Sequence, residues 1–166
     1  MKRTSRISLV LIVSLSLLVA CSNEKDKPSA SSEPHSQHAS TGAEDIREET
    51  GKLDVLPAFL TDKPKEIQEI YQAAAKNKEL LEKIPCYCGC GESVNHKNNY
   101  DCFVHENKNG GSIVWDDHGT KCDVCLQIAA QSVKDFNEGM SIKEIREKID
   151  NMYQEGYANP TPTPQI

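Results

Sequence analysis

Six cysteines fall within one forty-residue stretch, at Cys86, Cys88, Cys90, Cys102, Cys122 and Cys125, and His96, His105 and His118 lie among them. The pattern is Cys-x-Cys-x-Cys, a lone Cys102, then Cys-x-x-Cys. Thiolates are soft ligands that suit Cu(I) and Zn(II), and imidazole suits both. On an extended chain Cys-x-Cys puts two sulfurs about 6–7 Å apart on one side, and a turn at Gly89 or Gly91 can curl them around one ion. Cys122-x-x-Cys125 is expected at a helix start, where the helix dipole favours thiolate. A tetrahedral ion needs four ligands, and these cysteines with His118 and His96 exceed that number. The surplus favours copper ahead of zinc, or one metal plus one other feature. His118 is the stronger imidazole candidate. It lies four residues before Cys122 and beside Asp116 and Asp117, which could orient its second nitrogen or cap a helix. His105, His35 and His38 are read as solvated.

Two other chemistries remain open on the residues alone. Cys122 and Cys125 have the form of a thiol–disulfide redox pair, although the βαβ setting of a thioredoxin is missing. Three structural disulfides are also allowed by an even count, with fifteen pairings. Bridging within Cys-x-Cys is strained, so each of those sulfurs would need a distant partner. No phosphate-binding glycine loop or nucleophile elbow is present. The expected role is to hold, buffer or hand over a metal rather than to turn over a substrate.

The elements that must position these side chains read as helices. The first spans about Lys63 to Lys83. Thr61 or Asp62 caps it, Pro64 sits in its first turn, and Ile67, Ile70, Tyr71, Ala74, Leu81 and Ile84 fall on one face. The second runs from about Thr120 to Asn137, with Leu126, Ala129, Val133 and Phe136 as core. The third is capped by Ser141, with Glu144 completing a capping box and Met140 and Ile145 in the staple positions. Its apolar stripe is Ile142, Ile145, Ile149 and Met152. Between the first two helices the chain is rich in Gly, Asn and Asp, with one short strand expected at 112–115. The expected fold is therefore mainly α: a small three-helix domain with an irregular Cys-rich loop and room for one short hairpin.

That domain, residues 53–158, sits in a longer chain. Residues 1–20 begin with Lys2, Arg3 and Arg6 and continue as an apolar run too short for a comfortable membrane span, the form of an export signal. Leu18-Val19-Ala20-Cys21 resembles the lipobox of bacterial lipoproteins, which implies diacylation of Cys21 and stable anchoring by two acyl chains. Residues 21–52 are polar, with almost no large apolar side chain, and are expected to form a disordered tether of roughly 30 Å. Residues 159–166, Asn-Pro-Thr-Pro-Thr-Pro-Gln-Ile, are expected to be an extended tail. The chain carries 19 Lys+Arg against 25 Asp+Glu, a net charge of −6. Loss of the three basic residues of the leader takes the remainder to −9. Nucleic acid is thereby excluded as a partner. The expected partners are the membrane, through the lipid on its extracytoplasmic face, a metal ion, and a metalloprotein or thiol-redox protein.

Ile84-Pro85-Cys86-Tyr87-Cys88-Gly89-Cys90-Gly91 resembles the hallmark of the PCYCGC-motif lipoproteins of Bacillus-like bacteria. The resemblance continues through His96, Asp101-Cys102-Phe103, Trp115-Asp116-Asp117-His118, Cys122-Asp123-Val124-Cys125 and the helix start after Gly139. It implies little about activity, because the family is uncharacterised. Relatives of the motif read as selenoproteins, which implies thiol redox chemistry. Gly139-Met140-Ser141-Ile142-Lys143-Glu144-Ile145 is also similar to a piece of the three-helix thiol proteins of cytochrome c maturation, a fold-level analogy only.

Overall fold

A computed structural model describes residues 44–166. The expected export signal, Cys21 and the tether up to residue 43 lie outside the described residues. Among those described, five α-helices accompany a three-stranded antiparallel sheet. The architecture is mixed rather than mainly α, and the expected three-helix domain is corrected accordingly.

The sheet has the order β1-β3-β2, with β1 at Arg47–Thr50, β2 at Val104–Asn107 and β3 at Ile113–Asp116. The expected strand and hairpin correspond to β3 and β2. The surprise is β1, which lies inside the stretch assigned to the tether. Arg47 pairs opposite Asp116 and Thr50 opposite Ile113. Its polar residues belong there because it is an edge strand, where side chains facing water are tolerated. Its one buried residue, Thr50, accepts a 2.8 Å hydrogen bond from Trp115 Nε1. The β2–β3 pairing shifts register between Val104 and Glu106, so His105 occupies a bulge.

The first expected helix is two: α1, Lys65–Lys76, and α2, Lys78–Leu81, broken at Asn77. Asn77 leaves the helical region and donates its side-chain amide to the Ala73 carbonyl at 2.8 Å, a local bond that competes with helix continuation. Pro64, not Thr61 or Asp62, occupies the cap of α1, without a side-chain capping bond. A single turn, α3 (Cys90–Ser93), follows in the Cys-rich segment. Helix α4, Asp123–Asn137, starts three residues later than expected, because Asp117–Lys121 form a 3-10 turn. Helix α5, Ile142–Tyr153, carries the expected capping box of Ser141 and Glu144.

Two residues assigned to apolar stripes are exposed, Phe136 and Met152. The last turn of α4 instead directs Asp135 inward, where Lys148 Nζ at 2.7 Å and Gln131 Nε2 at 2.8 Å satisfy it. On α5 the buried row is Ile145, Ile149 and Tyr153, four residues apart each time. Helix α4 packs against both α1 and α5. The core centre is aromatic: Tyr71 meets the Phe103 ring edge-on at 5.0 Å and Trp115 at 6.3 Å.

The C-terminal residues run extended, but not free of the domain. Thr161 N–H donates to the Cys86 carbonyl at 2.9 Å, and Cys86 N–H donates to Thr161 Oγ1 at 2.9 Å. Thr161 and Thr163 are buried. The tail is thus a lining of the Cys-rich segment.

Candidate metal centre

The polar loop can hold its shape because its backbone is tied down. Asn99 N–H bonds the Ile84 carbonyl at 2.8 Å, and Asn99 Nδ2 bonds the Cys125 carbonyl at 3.2 Å, linking the loop to the first turn of α4. In Cys86-Tyr87-Cys88 the alternation of an extended chain separates the side chains. Tyr87 faces α5, where it stacks on Tyr153 and donates to Asp150 Oδ1 at 2.6 Å. Cys86 and Cys88 face the other way. Gly89 then adopts φ 89°, a left-handed turn that glycine enters at little cost, and caps the turn that presents Cys90. Cys102 arrives on the 3-10 turn Tyr100–Cys102, and His118 on the turn after β3, whose start is capped by Asp116 Oδ1 accepting from His118 N–H at 2.9 Å. Gly119 follows because no side chain fits there: a Cβ would lie 2.7 Å from the Phe103 ring and 2.9 Å from Tyr71 Oη.

These elements bring all six cysteines together with His96 and His118. Cys86, Cys88 and Cys125 form a triangle of sulfurs with sides of 3.4, 3.3 and 3.4 Å. The Cys86–Cys88 separation is about half the distance expected for a fully extended Cys-x-Cys. Cys90 and Cys102 sulfurs are 3.8 Å apart, and Cys88 Sγ lies 4.0 Å from His118 Nε2. Cys122 joins Cys88 and Cys125 with all ligand atoms within 4.8 Å. All six thiols are free, at separations well beyond the roughly 2.05 Å of a disulfide. Cys86, Cys90, Cys102 and Cys125 are buried; Cys88 and Cys122 are partly exposed and form the solvent side of the cluster.

His96 is buried, and its Nδ1 has no hydrogen-bond partner. Its ring sits edge-on to His118 at 4.7 Å. Leaving a buried polar nitrogen unpaired costs about 1–3 kcal/mol. A donor set of soft sulfurs around such a nitrogen fits a metal ion well. His105 does not join the site; it is exposed on its bulge.

The ionisation pattern favours negative charge at Cys86 and Cys88, whereas at Cys90 the lowering by Cys102 and Cys125 is outweighed by Cys86, Cys88 and burial, which push it up. The neighbouring thiols of Cys102 and Cys125 hold Cys86 well down, and those of Cys102, Cys122, Cys125 and Cys86 hold Cys88 down. Burial pushes Cys102 up, and sharing with Cys102, Cys122, Cys86 and Cys88 pushes Cys125 up. Burial and the neighbouring His118 lower His96, keeping it neutral and able to ligate. Burial would lower His118 too, but Cys88 and Asp45 outweigh it and raise its pKa.

Asp45 was not foreseen as a site residue. Its carboxylate lies 3.3 Å from His118 Nδ1 and 3.1 Å from Lys121 Nζ. It fills the orienting role expected of Asp116 or Asp117. Asp116 instead pairs with Arg47 at 3.2 Å and accepts from the His118 backbone N–H, and Asp117 pairs with Lys121 at 2.8 Å. Asp45 sits in a stretch of tether-like composition, and only the pairing of β1 with β3 delivers it to the site. Thr161 was also missed, since a Thr-Pro repeat carries no sign of burial.

Fold and site together define a small α/β domain built around a buried cluster of cysteines and histidines able to hold metal. The chain belongs to the family described as protein of unknown function with PCYCGC motif, whose model matches residues 9–166. No match is found among curated proteins or among solved structures.

Proposed function

We propose that the protein is a lipid-anchored, extracytoplasmic metal-binding protein that takes up a soft ion, Cu(I) or Zn(II), for buffering or delivery. The observation that carries the reading is the convergence of eight soft or borderline donors, six Sγ and two imidazoles, from five separate segments into overlapping groups with ligand atoms within 4.8 Å. Thiolate and imidazole ligands select these ions over hard ones. The partly exposed Cys88 and Cys122 give the ion a route in and out, as handover to a partner metalloprotein requires. Anchoring at Cys21 after removal of residues 1–20 is supported by the basic start, the short apolar run and the Leu-Val-Ala-Cys sequence. No helix among the described residues is long and apolar enough to cross a membrane.

A thiol–disulfide role is the second reading. The 3.3 Å Cys86–Cys125 contact and the Cys122-x-x-Cys125 pair at the start of α4 favour it. Anaerobic titration of the reduced chain against a chromophoric chelator separates the two. The metal reading expects uptake in competition with the chelator, weakened at least tenfold by Cys88→Ser. The redox reading expects no uptake and a dithiol that exchanges with glutathione.

A further inference from the structure

The geometry points to two metal ions per chain, a mixed sulfur–nitrogen pocket at Cys90, His96, Cys102 and His118 beside an all-thiolate pocket at Cys86, Cys88, Cys122 and Cys125. This inference deepens the metal-binding reading and rests on it. The eight donors divide without remainder. In the first pocket all four ligand atoms lie within 4.8 Å of one another and all four residues are buried. Its sulfur–sulfur edge of 3.8 Å equals the edge of about 3.8 Å that a tetrahedron with 2.3 Å metal–sulfur bonds requires. In the second, Cys86, Cys88 and Cys125 form a face with edges of 3.3 to 3.4 Å, slightly inside that value. Cys122, within 4.8 Å of Cys88 and Cys125, stands as fourth ligand.

A single ion would take one set and leave the other four donors clustered without a cation. If it took the thiolates, His96 and His118 would be left without a cation beside the sulfurs of Cys90 and Cys102. If it took the mixed pocket, the tightest sulfur triangle would be left without a cation.

Charge and burial assign the ion class. A divalent ion with two thiolates and two neutral imidazoles is a neutral complex, and that pocket is the fully buried one, where an uncompensated charge would be expensive. A divalent ion with four thiolates keeps a double negative charge. That pocket has the partly exposed members, Cys88 and Cys122, and lies at the N-terminus of the fifteen-residue α4, whose dipole favours negative charge. Zn(II) meets both conditions. The pockets also touch: Cys90 lies within 4.8 Å of Cys86 and Cys88, and Cys102 of Cys86 and Cys125.

The test loads the full chain, reduced and free of oxygen, with Zn(II) alone and counts ions by native mass spectrometry. The expectation is two per chain. His96→Ala with Cys102→Ser should retain one, and Cys122→Ser with Cys125→Ser should retain one. Co(II) in place of zinc gives each pocket its own signature, with the sulfur-to-cobalt absorption of the Cys122/Cys125 variant about half that of the other. One ion in the wild-type chain, or loss of both ions in both variants, overturns the two-pocket assignment while leaving metal binding intact. No zinc at all overturns the two-zinc assignment, and no uptake of Cu(I) by the same reduced chain overturns the metal-binding reading beneath it.

Discussion

Asp45 Oδ2 lies 3.3 Å from Nδ1 of His118, seventy-three residues further along the chain. The contact turns the segment that leads out of the proposed tether into part of the site. A carboxylate on the second nitrogen of a ligating histidine fixes its ring and raises its basicity. Asp45→Asn keeps the shape and removes the charge. Metal affinity should fall about 10–100-fold, the usual cost of losing such a partner, as measured by chelator competition. An unchanged affinity would mean that His118 is not a ligand.

The same carboxylate sets a pH dependence of the metal-free fold. Burial would raise the Asp45 pKa, but Lys121 and His118 outweigh burial and hold it below its ordinary value of 3.8. Because the folded value is the lower one, the stabilisation is complete above the unfolded value and is lost as pH falls through the folded one. Below about pH 4, wild type should lose stability more steeply than Asp45→Asn in acid denaturation followed by circular dichroism. Parallel curves would remove Asp45 from the balance.

Thr161 caps a buried backbone group. Thr161→Val keeps the volume but removes the acceptor of the Cys86 N–H. An orphaned buried donor should cost about 1–3 kcal/mol in urea unfolding, and a chain ending at Ala158 should lose at least as much. If both variants unfold like wild type, the tail does not hold the motif in solution.

Gly119 tests the packing behind His118. An alanine methyl there would press on the Phe103 ring and on Tyr71 Oη, both within 3.0 Å, and Phe103 is fully buried. Overpacking of this kind costs about 1–3 kcal/mol. Tyr71 Oη also donates to the Asp116 carbonyl and accepts from Thr120 N–H, so the strain should reach the turn that carries His118. Gly119→Ala should therefore weaken metal binding as well as lower the unfolding midpoint. A lowered midpoint with unaltered binding would uncouple the two.

The grouping of the candidate donors was more legible in the sequence than the architecture. The count and spacing of the cysteines, the ranking of His118 and His96 above His105, and the Ser141–Glu144 capping box all depend on near neighbours along the chain. Strand β1 does not: Arg47-Glu48-Glu49-Thr50 is polar, and its structure comes from pairing with residues 113–116. Asp45 and Thr161 were invisible for the same reason, because each gains its role from a partner more than seventy residues away. Helical spacing placed Phe136 and Met152 on apolar stripes, but spacing does not reveal where a neighbouring helix stops covering them. Asn77 broke the first helix through its own side chain, a cost that a regular apolar period conceals.

The central claim, that the clustered thiols hold a soft metal, is tested most directly by the mass of the full chain purified without oxygen, taken native and then denatured with chelator and a thiol-alkylating reagent. The account predicts stoichiometric copper or zinc in the native mass, and six alkylated thiols among Cys86, Cys88, Cys90, Cys102, Cys122 and Cys125 once the metal is removed. A metal-free native mass, with those sulfurs closed to alkylation as disulfides until a reductant is added, would contradict it.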